Sequence, residues 1–412
     1  MSESLPRQDH RLAFLVRDLN RGGAQRSQLR LAGAIAARGF AVDLVLCSAR
    51  LTGSGVAPAN VRVINLRPGT RLLAHLVPFL ADPAGAVPLA RSLLTTIRPS
   101  PTLAYLPALV RYLRRERPTG LVAPSTALNL EALWARRLAR STARVIVCER
   151  AHLPMARTKA GGWRQRRLLR LVARYYPQAD AVVTSSHLAA DELAATTGLD
   201  RRGLAVIYNS LVDPDVTARA AAPCPHPWFG EGAPPVVLGG GRLSEQKDFP
   251  TLVRAFAMLR ARRDARLLIL ARSDGRARHA AHHRADVKTL AEQLGVAADV
   301  EVYDGEASPY PFMARAAVFA LSSAWEGFGD VLVEAMSCGC PVVSTDCPSG
   351  PREILEGGRW GQLVRVGDAV GLAAAIGQTI DDPPSRATLA ARAAEFSLDR
   401  AVDAYLGLLL PT

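Results

Sequence analysis

The chain has 412 residues, 49% of them hydrophobic, and a formal net charge of +14, enough for a large core divided between two domains. No run of ~18 apolar residues is present, so no transmembrane helix is expected, and MSESLPRQDH lacks the basic-then-apolar layout of a secretory leader. Six cysteines without a CxxC pair argue against a zinc or disulfide framework and for reduced thiols in a cytoplasmic protein.

Arg11 to Val16 predicts a first strand and Ala41 to Leu46 the next, with an amphipathic helix between them. Gly22 and Gly23, at the turn from strand to helix, permit a phosphate to approach the backbone closely. From Leu66 to Leu113 the chain is apolar but broken by prolines, among them Pro78, Pro83, Pro88, Pro101 and Pro107, with arginines at intervals. Short helices with basic and apolar faces are expected there, suited to resting on a membrane. Leu121–Ala123 and Val145–Cys148 predict further core strands, the second followed by Glu149, Arg150, Ala151 and His152. Such loops at the carboxyl ends of parallel strands bind ligands, so Glu149 and His152 are both candidates to handle an acceptor proton.

Lys159 to Arg174 predicts a basic amphipathic helix carrying Arg164, Arg166, Arg167 and Arg170. Between Arg67 and Pro177 there are 20 Lys or Arg against four acids (Asp82, Glu116, Glu131, Glu149), a surplus of 16; the remainder carries 14 − 16 = −2. This basic face implies an anionic partner: phospholipid headgroups, a lipid diphosphate or nucleic acid. Ala181–Thr184 and Val206–Asn209 predict the closing strands of the first domain. Val212–Pro235, rich in Pro and Ala, is expected to be a linker; it contains the metal-like spacing Asp213-Pro214-Asp215, to which no metal role is given.

The second domain begins at Pro235–Leu238 and runs into GGGRLSEQKDFPTLVRAFAML. Arg242 and Lys247, beside flexible glycines and a helix start, make a clamp for a diphosphate. Lys247 is one of only three lysines against an arginine background. Leu267–Leu270 predicts a strand, RSDGRARHAAHHRAD an exposed loop in which His279, His282 and His283 hold no metal, and Val300–Tyr303 another strand.

The most informative stretch is Val318 to Leu355. A buried strand (VFAL) opens into the small-residue loop SSAWEGFG, then a helix (DVLVEAM) stopped by Cys338-Gly339-Cys340-Pro341, then a strand (PVVST). The helix N-terminus at Gly329, Asp330 and Val331 offers amides to an anion. Glu326 lies before that helix and Glu334 in its second turn, carboxylates suited to the hydroxyls of a polyol phosphate.

EGFGDVLVEAMSCGCPVV resembles the Glu-x7-Glu signature of the retaining group 1 glycosyltransferases, of the kind that builds bacterial polysaccharides and glycolipids. The resemblance is strong over roughly the last 180 residues and weak before them. It implies the GT-B form of α/β fold: two Rossmann-like domains facing across a cleft, residues 1–213 on the acceptor side and 214–396 holding the donor. A helix from 397–412 returns to the first domain. By position, Glu326 contacts the donor sugar and Glu334 the nucleoside ribose. Arg242 and Lys247 hold the diphosphate, with Gly22 and Gly23 facing it and Gly329, Asp330 and Val331 supplying amides.

The expected reaction moves a hexose or N-acetylhexosamine from a nucleoside diphosphate sugar, UDP favoured and GDP-mannose the alternative, to a glycan or polyprenyl-diphosphate-linked acceptor. Retention, no metal and no cofactor are expected, at the inner face of the cell membrane. A nicotinamide dehydrogenase needs a GxGxxG turn and a following acid, which the first strand lacks. A nucleic-acid-binding protein accounts for the basic half but leaves Glu326, Glu334 and Lys247 without a role, so no nucleic-acid partner is expected.

Overall fold

The computed structural model describes residues 10–17, 19, 23–47, 57–69, 102–149, 162–209, 212, 215–272, 277–304 and 308–410. The chain divides into two compact units. One comprises Met1–Ser185, Ala190–Tyr208 and Leu398–Thr412; the other comprises Ser186–Ala189 and Asn209–Ser397.

The first unit is built on seven parallel strands: β1 (Arg11–Val16), β2 (Ala41–Leu46), β3 (Arg62–Asn65), β4 (Gly120–Ala123), β5 (Arg144–Glu149), β6 (Ala181–Thr184) and β7 (Leu204–Val206). Their order is β3-β2-β1-β4-β5-β6-β7. Both faces of β1 are buried, which is why it reads as an unbroken apolar run. Leu12, Phe14 and Val16 join one core with Leu31 and Ile35 of the Gly23–Ala37 helix. Ala13 and Leu15 join another with Leu109, Leu113 and Leu133, from the helices Leu106–Glu116 and Thr126–Ala139. The terminal helix Leu398–Leu409 packs on the first of these cores through Val402, Tyr405 and Leu409. Arg144 Nε donates to Leu408 O at 2.9 Å, which ties β5 to the end of that helix.

The second unit repeats the plan with β8 (Val236–Arg242), β9 (Arg266–Arg272), β10 (Val300–Tyr303), β11 (Val318–Leu321), β12 (Val342–Thr345) and β13 (Gln362–Val364). All are parallel, in the order β10-β9-β8-β11-β12-β13. Val237, Leu267, Ile269, Val318 and Ala320 meet Leu252 and Phe256 of the Phe249–Arg260 helix. Neighbours β8 and β11 send their chains to opposite halves of the sheet, so the loops after them part at a crevice where ligands bind in such folds.

Several expectations from sequence are corrected. The stretch taken as an exposed loop with three histidines is largely the helix Ala277–Gln293. Its alanines favour a helix, and Val287 and Ala291, four apart, bury on the second core. The expected linker includes packed structure. It contains the helix Val216–Ala221 and a turn, Pro227–Phe229, whose Phe229 ring lies 5.8 Å from that of Phe312. His226 lies 5.5 Å from Tyr303, so aromatic burial overrides a Pro- and Ala-rich composition. The last strand of the first unit is Leu204–Val206, ending earlier than expected, and the short strands β3 and β13 add to the expected set. The apolar face of Leu106–Glu116 is buried in the core; only its arginine face is left for any surface. Residues 70–101, before it, lie outside the described residues.

Candidate functional site

The crevice of the second unit joins two loops. Arg242 closes β8, and the chain runs through a single 3-10 turn, Glu245–Lys247, before the Phe249–Arg260 helix. Asp248 sets the join. It adopts a left-handed conformation (φ 42°), and its side chain accepts from Thr251 N at 3.4 Å and Thr251 Oγ1 at 2.7 Å. The loop after β11 lies against this turn: Ala324 N donates to Gln246 O at 2.8 Å and Ser322 Oγ to Lys247 O at 2.8 Å. Gly241 makes room for the lysine stem. It sits at φ 144°, and a Cβ there would lie 2.7 Å from Lys247 Cε.

The two loops thereby bring together Lys247 and Glu326, the candidates for phosphate and sugar. Lys247 Nζ lies 2.6 Å from Glu326 Oε1, with side chains 11% and 8% exposed. The carboxylate also accepts from Ser323 Oγ at 2.6 Å and Gln246 Nε2 at 3.4 Å. Gln246 in turn accepts from Arg242 Nη2 at 3.1 Å and donates to Trp325 O at 3.0 Å, so its amide links Arg242 to the acid that Lys247 meets directly. Ser349 Oγ fixes the backbone by donating to Glu326 O at 2.7 Å. The turn bearing Ser349 presses so closely that a Cβ on Gly350 (φ 101°) would lie 1.6 Å from Phe328 O. Only glycine fits. Burial, reinforced by the charge of Glu326, pushes the Cys347 thiol up to about 12, so a neutral thiol faces the pair. None of the six cysteines forms a disulfide.

Gly329 (φ 95°) opens the helix Asp330–Ser337, whose first turn holds Asp330 and Val331. Glu334 is buried one turn further on, among Leu332, Val333 and Met336. A buried carboxylate at the start of a helix beside an ammonium and a guanidinium is an arrangement for ligands carrying both phosphate and hydroxyl groups.

In the first unit, Glu149 ends β5 and is buried. Its Oε2 accepts from Tyr176 Oη at 2.7 Å and Thr126 Oγ1 at 2.9 Å, and Asn129 Nδ2 donates to Tyr176 Oη at 2.8 Å. This network orients the carboxylate. Burial, then the charge of Glu149, raises the Tyr176 hydroxyl well above its ordinary range, so it stays a donor. Gly23 begins the Gly23–Ala37 helix; Gly22, His152 and Asp213 lie outside the described residues. The helix Gly162–Tyr175 carries the basic cluster, with Arg166 and Arg170 exposed; the side chains of Arg164 and Arg167 lie outside the described residues. No group of three His, Cys, Asp or Glu side chains suited to a metal occurs among the described residues, and none of their helices is long and apolar enough to cross a membrane.

Sequence reasoning missed Gln246, Ser323, Ser349 and Asn209. The first three lie in loops whose pairing depends on strand order. Asn209 Nδ2 donates to Asp330 Oδ1 at 2.8 Å, a contact across 121 positions with no local signal.

Comparison with known proteins agrees with this geometry. Residues 22–210 match the glycosyl transferase 4-like domain, and residues 229–396 match the glycosyl transferases group 1 family. The lipopolysaccharide core biosynthesis glycosyltransferase LpsE of Rhizobium meliloti is 37% identical over 180 residues, covering 42% of this chain and 49% of that protein. An N-acetylgalactosaminyltransferase of Campylobacter jejuni acting on a diphospho-undecaprenol-linked sugar is 28% identical over 196 residues, covering 48% of this chain and 49% of that protein. The chain thus spans about half the length of these curated relatives. Among solved structures, Anabaena HepE in complex with UDP and glucose superposes with a TM-score of 0.69 at 20% identity, covering 97% of this chain and 98% of that one.

Proposed function

Given that this chain belongs to the group 1 glycosyltransferases of the GT-B fold, we propose that it transfers a hexose or N-acetylhexosamine from a nucleoside diphosphate sugar to a hydroxyl of a glycan or lipid-linked acceptor. The observation that carries this reading is the buried Lys247–Glu326 pair at the crevice, with Arg242 joined to it through Gln246. Lys247 and Arg242 balance the charge that builds on the departing diphosphate, and the first-turn amides at Asp330 and Val331 add to it. Glu334 accepts from the ribose hydroxyls and Glu326 from the sugar. A UDP-sugar is the favoured donor, since the HepE complex holds UDP and glucose.

The proposed course retains the anomeric configuration. The bond from the anomeric carbon to the phosphate oxygen breaks while the acceptor oxygen bonds to that carbon on the same face, and the leaving phosphate takes the acceptor proton. Glu149, with His152, orients the acceptor hydroxyl. Positive charge comes from protein side chains, so turnover is expected to persist in excess chelator. Arg166 and Arg170, with their neighbours, draw the first unit to an anionic membrane surface where a lipid-linked acceptor is reached.

The test is thermal unfolding with UDP, GDP and their sugars, followed by NMR of the anomeric proton in the product. A ligand at 100 times its dissociation constant adds ~2.7 kcal/mol of stability. Stabilisation by UDP and its sugars, then a product with the donor's anomeric configuration, is expected. An inverted product would end the same-face course, and loss of turnover in EDTA restored by a divalent ion would end the metal-free one.

A further inference from the structure

The proposed diphosphate site contains a conflict. Asp330 stands first in the helix whose opening amides attract phosphate, and a carboxylate at that place repels the same anion. A free aspartate at a helix start also tends to fold back onto the unpaired first-turn N–H groups and take them for itself. Here Asn209 intervenes. Its Nδ2 donates to Asp330 Oδ1 at 2.8 Å.

Asn209 is well placed to do this. It belongs to the same unit as Asp330 and reaches it across 121 positions, from outside the helix it touches. It is only 8% exposed, and its Oδ1 is buried without a partner among the described residues. The amide orientation is thereby fixed, because turning it over would set an oxygen against the carboxylate. An unpaired buried acceptor is costly, and one amide hydrogen bond to Asp330 is what the placement gains.

Resting on the reading above, we infer that Asn209 is a positioning residue. It holds the Asp330 carboxylate to one side, so that a nucleoside diphosphate meets amides, Lys247 and Arg242 rather than a like charge. The effect runs through Asp330, which makes it separable from packing.

The test is calorimetric titration of the full chain with UDP, beside thermal unfolding without nucleotide. Asn209→Ala should weaken UDP binding about tenfold, the weight of one hydrogen bond to a charged group. Adding Asp330→Asn to that variant should return the affinity to near the wild-type value, because the freed side chain no longer bears charge; such non-additivity is the signature of coupling. Asp330→Asn alone should bind UDP at least as tightly as the wild type, a measurement that holds even if Asn209→Ala folds poorly. Unchanged affinity in Asn209→Ala, a loss that Asp330→Asn does not repair, or a loss in Asp330→Asn alone would each overturn the inference while leaving the functional reading intact. A wild-type chain that binds neither UDP nor GDP would overturn that reading and this inference with it.

Discussion

Replacing Lys247 by methionine keeps most of the apolar stem and removes the ammonium that meets Glu326 at 2.6 Å. Two losses follow, and they separate. The first is in binding: a charge-assisted contact to phosphate contributes about 1.5–3 kcal/mol, so UDP affinity should fall roughly 10- to 150-fold. The second is in folding. Removing one partner of a buried pair costs about 3–5 kcal/mol when the other charge is left alone. Glu326 is not left alone, because Ser323 Oγ at 2.6 Å and Gln246 Nε2 at 3.4 Å still donate to it. The stability loss should therefore fall below that range, at about 2 kcal/mol. Titration calorimetry reads the first quantity and urea unfolding the second. In the double variant Lys247→Met, Glu326→Gln the buried charge is gone, so stability should largely recover while UDP binding stays weak. Wild-type UDP affinity in Lys247→Met would refute the assignment of Lys247 to phosphate. Recovery of affinity in the double variant would show that Lys247 acts only by neutralising Glu326.

Glu334→Gln should weaken binding of free nucleoside diphosphate, whereas Glu326→Gln should leave it unweakened and cut sugar transfer by orders of magnitude; equal losses of nucleotide affinity would show the two roles to be wrongly divided. In the first unit, burial pushes Glu131 up to about 8 even though it accepts from Thr102 Oγ1 at 2.6 Å. Its folded value is raised, so the stability it contributes is full below the ordinary carboxylate range and is lost as pH rises toward 8. Glu131→Gln should flatten the decline between pH 5 and 8, by an amount on the order of 4 kcal/mol, and an unchanged pH profile of urea unfolding would remove Glu131 as its cause. The chain should co-sediment with anionic liposomes at low salt and be released as the Debye length shrinks below about 8 Å. Reversal of Arg164, Arg166, Arg167 and Arg170 to Glu should lower that binding with nucleotide affinity unchanged, and a wild-type chain that stays in the supernatant would end the membrane reading.

What the sequence determined by itself was whatever is written locally. Buried parallel strands must be apolar on both faces, so β1, β2, β5 and β11 stand out as short Val- and Leu-rich runs. The turn from β11 into the Asp330–Ser337 helix declares itself through glycines, and the Glu326–Glu334 spacing is fixed by a loop and little more than one helical turn. The same locality explains the errors. The stretch at 272–286 reads as a loop because its charges and histidines mask the start of the alanine-bearing helix Ala277–Gln293, which needs the second core to hold it through Val287 and Ala291. The stretch at 212–235 looked like a linker because His226 and Phe229 show their worth only against Tyr303 and Phe312. Tertiary structure alone decided which side chains meet at the crevice. Pairing of β8 with β11 brings Lys247 to Glu326 across 79 positions, and the fold of the second unit brings Asn209 to Asp330 across 121. Contacts of that separation depend on strand order and chain closure, and no spacing rule of helix or strand encodes either.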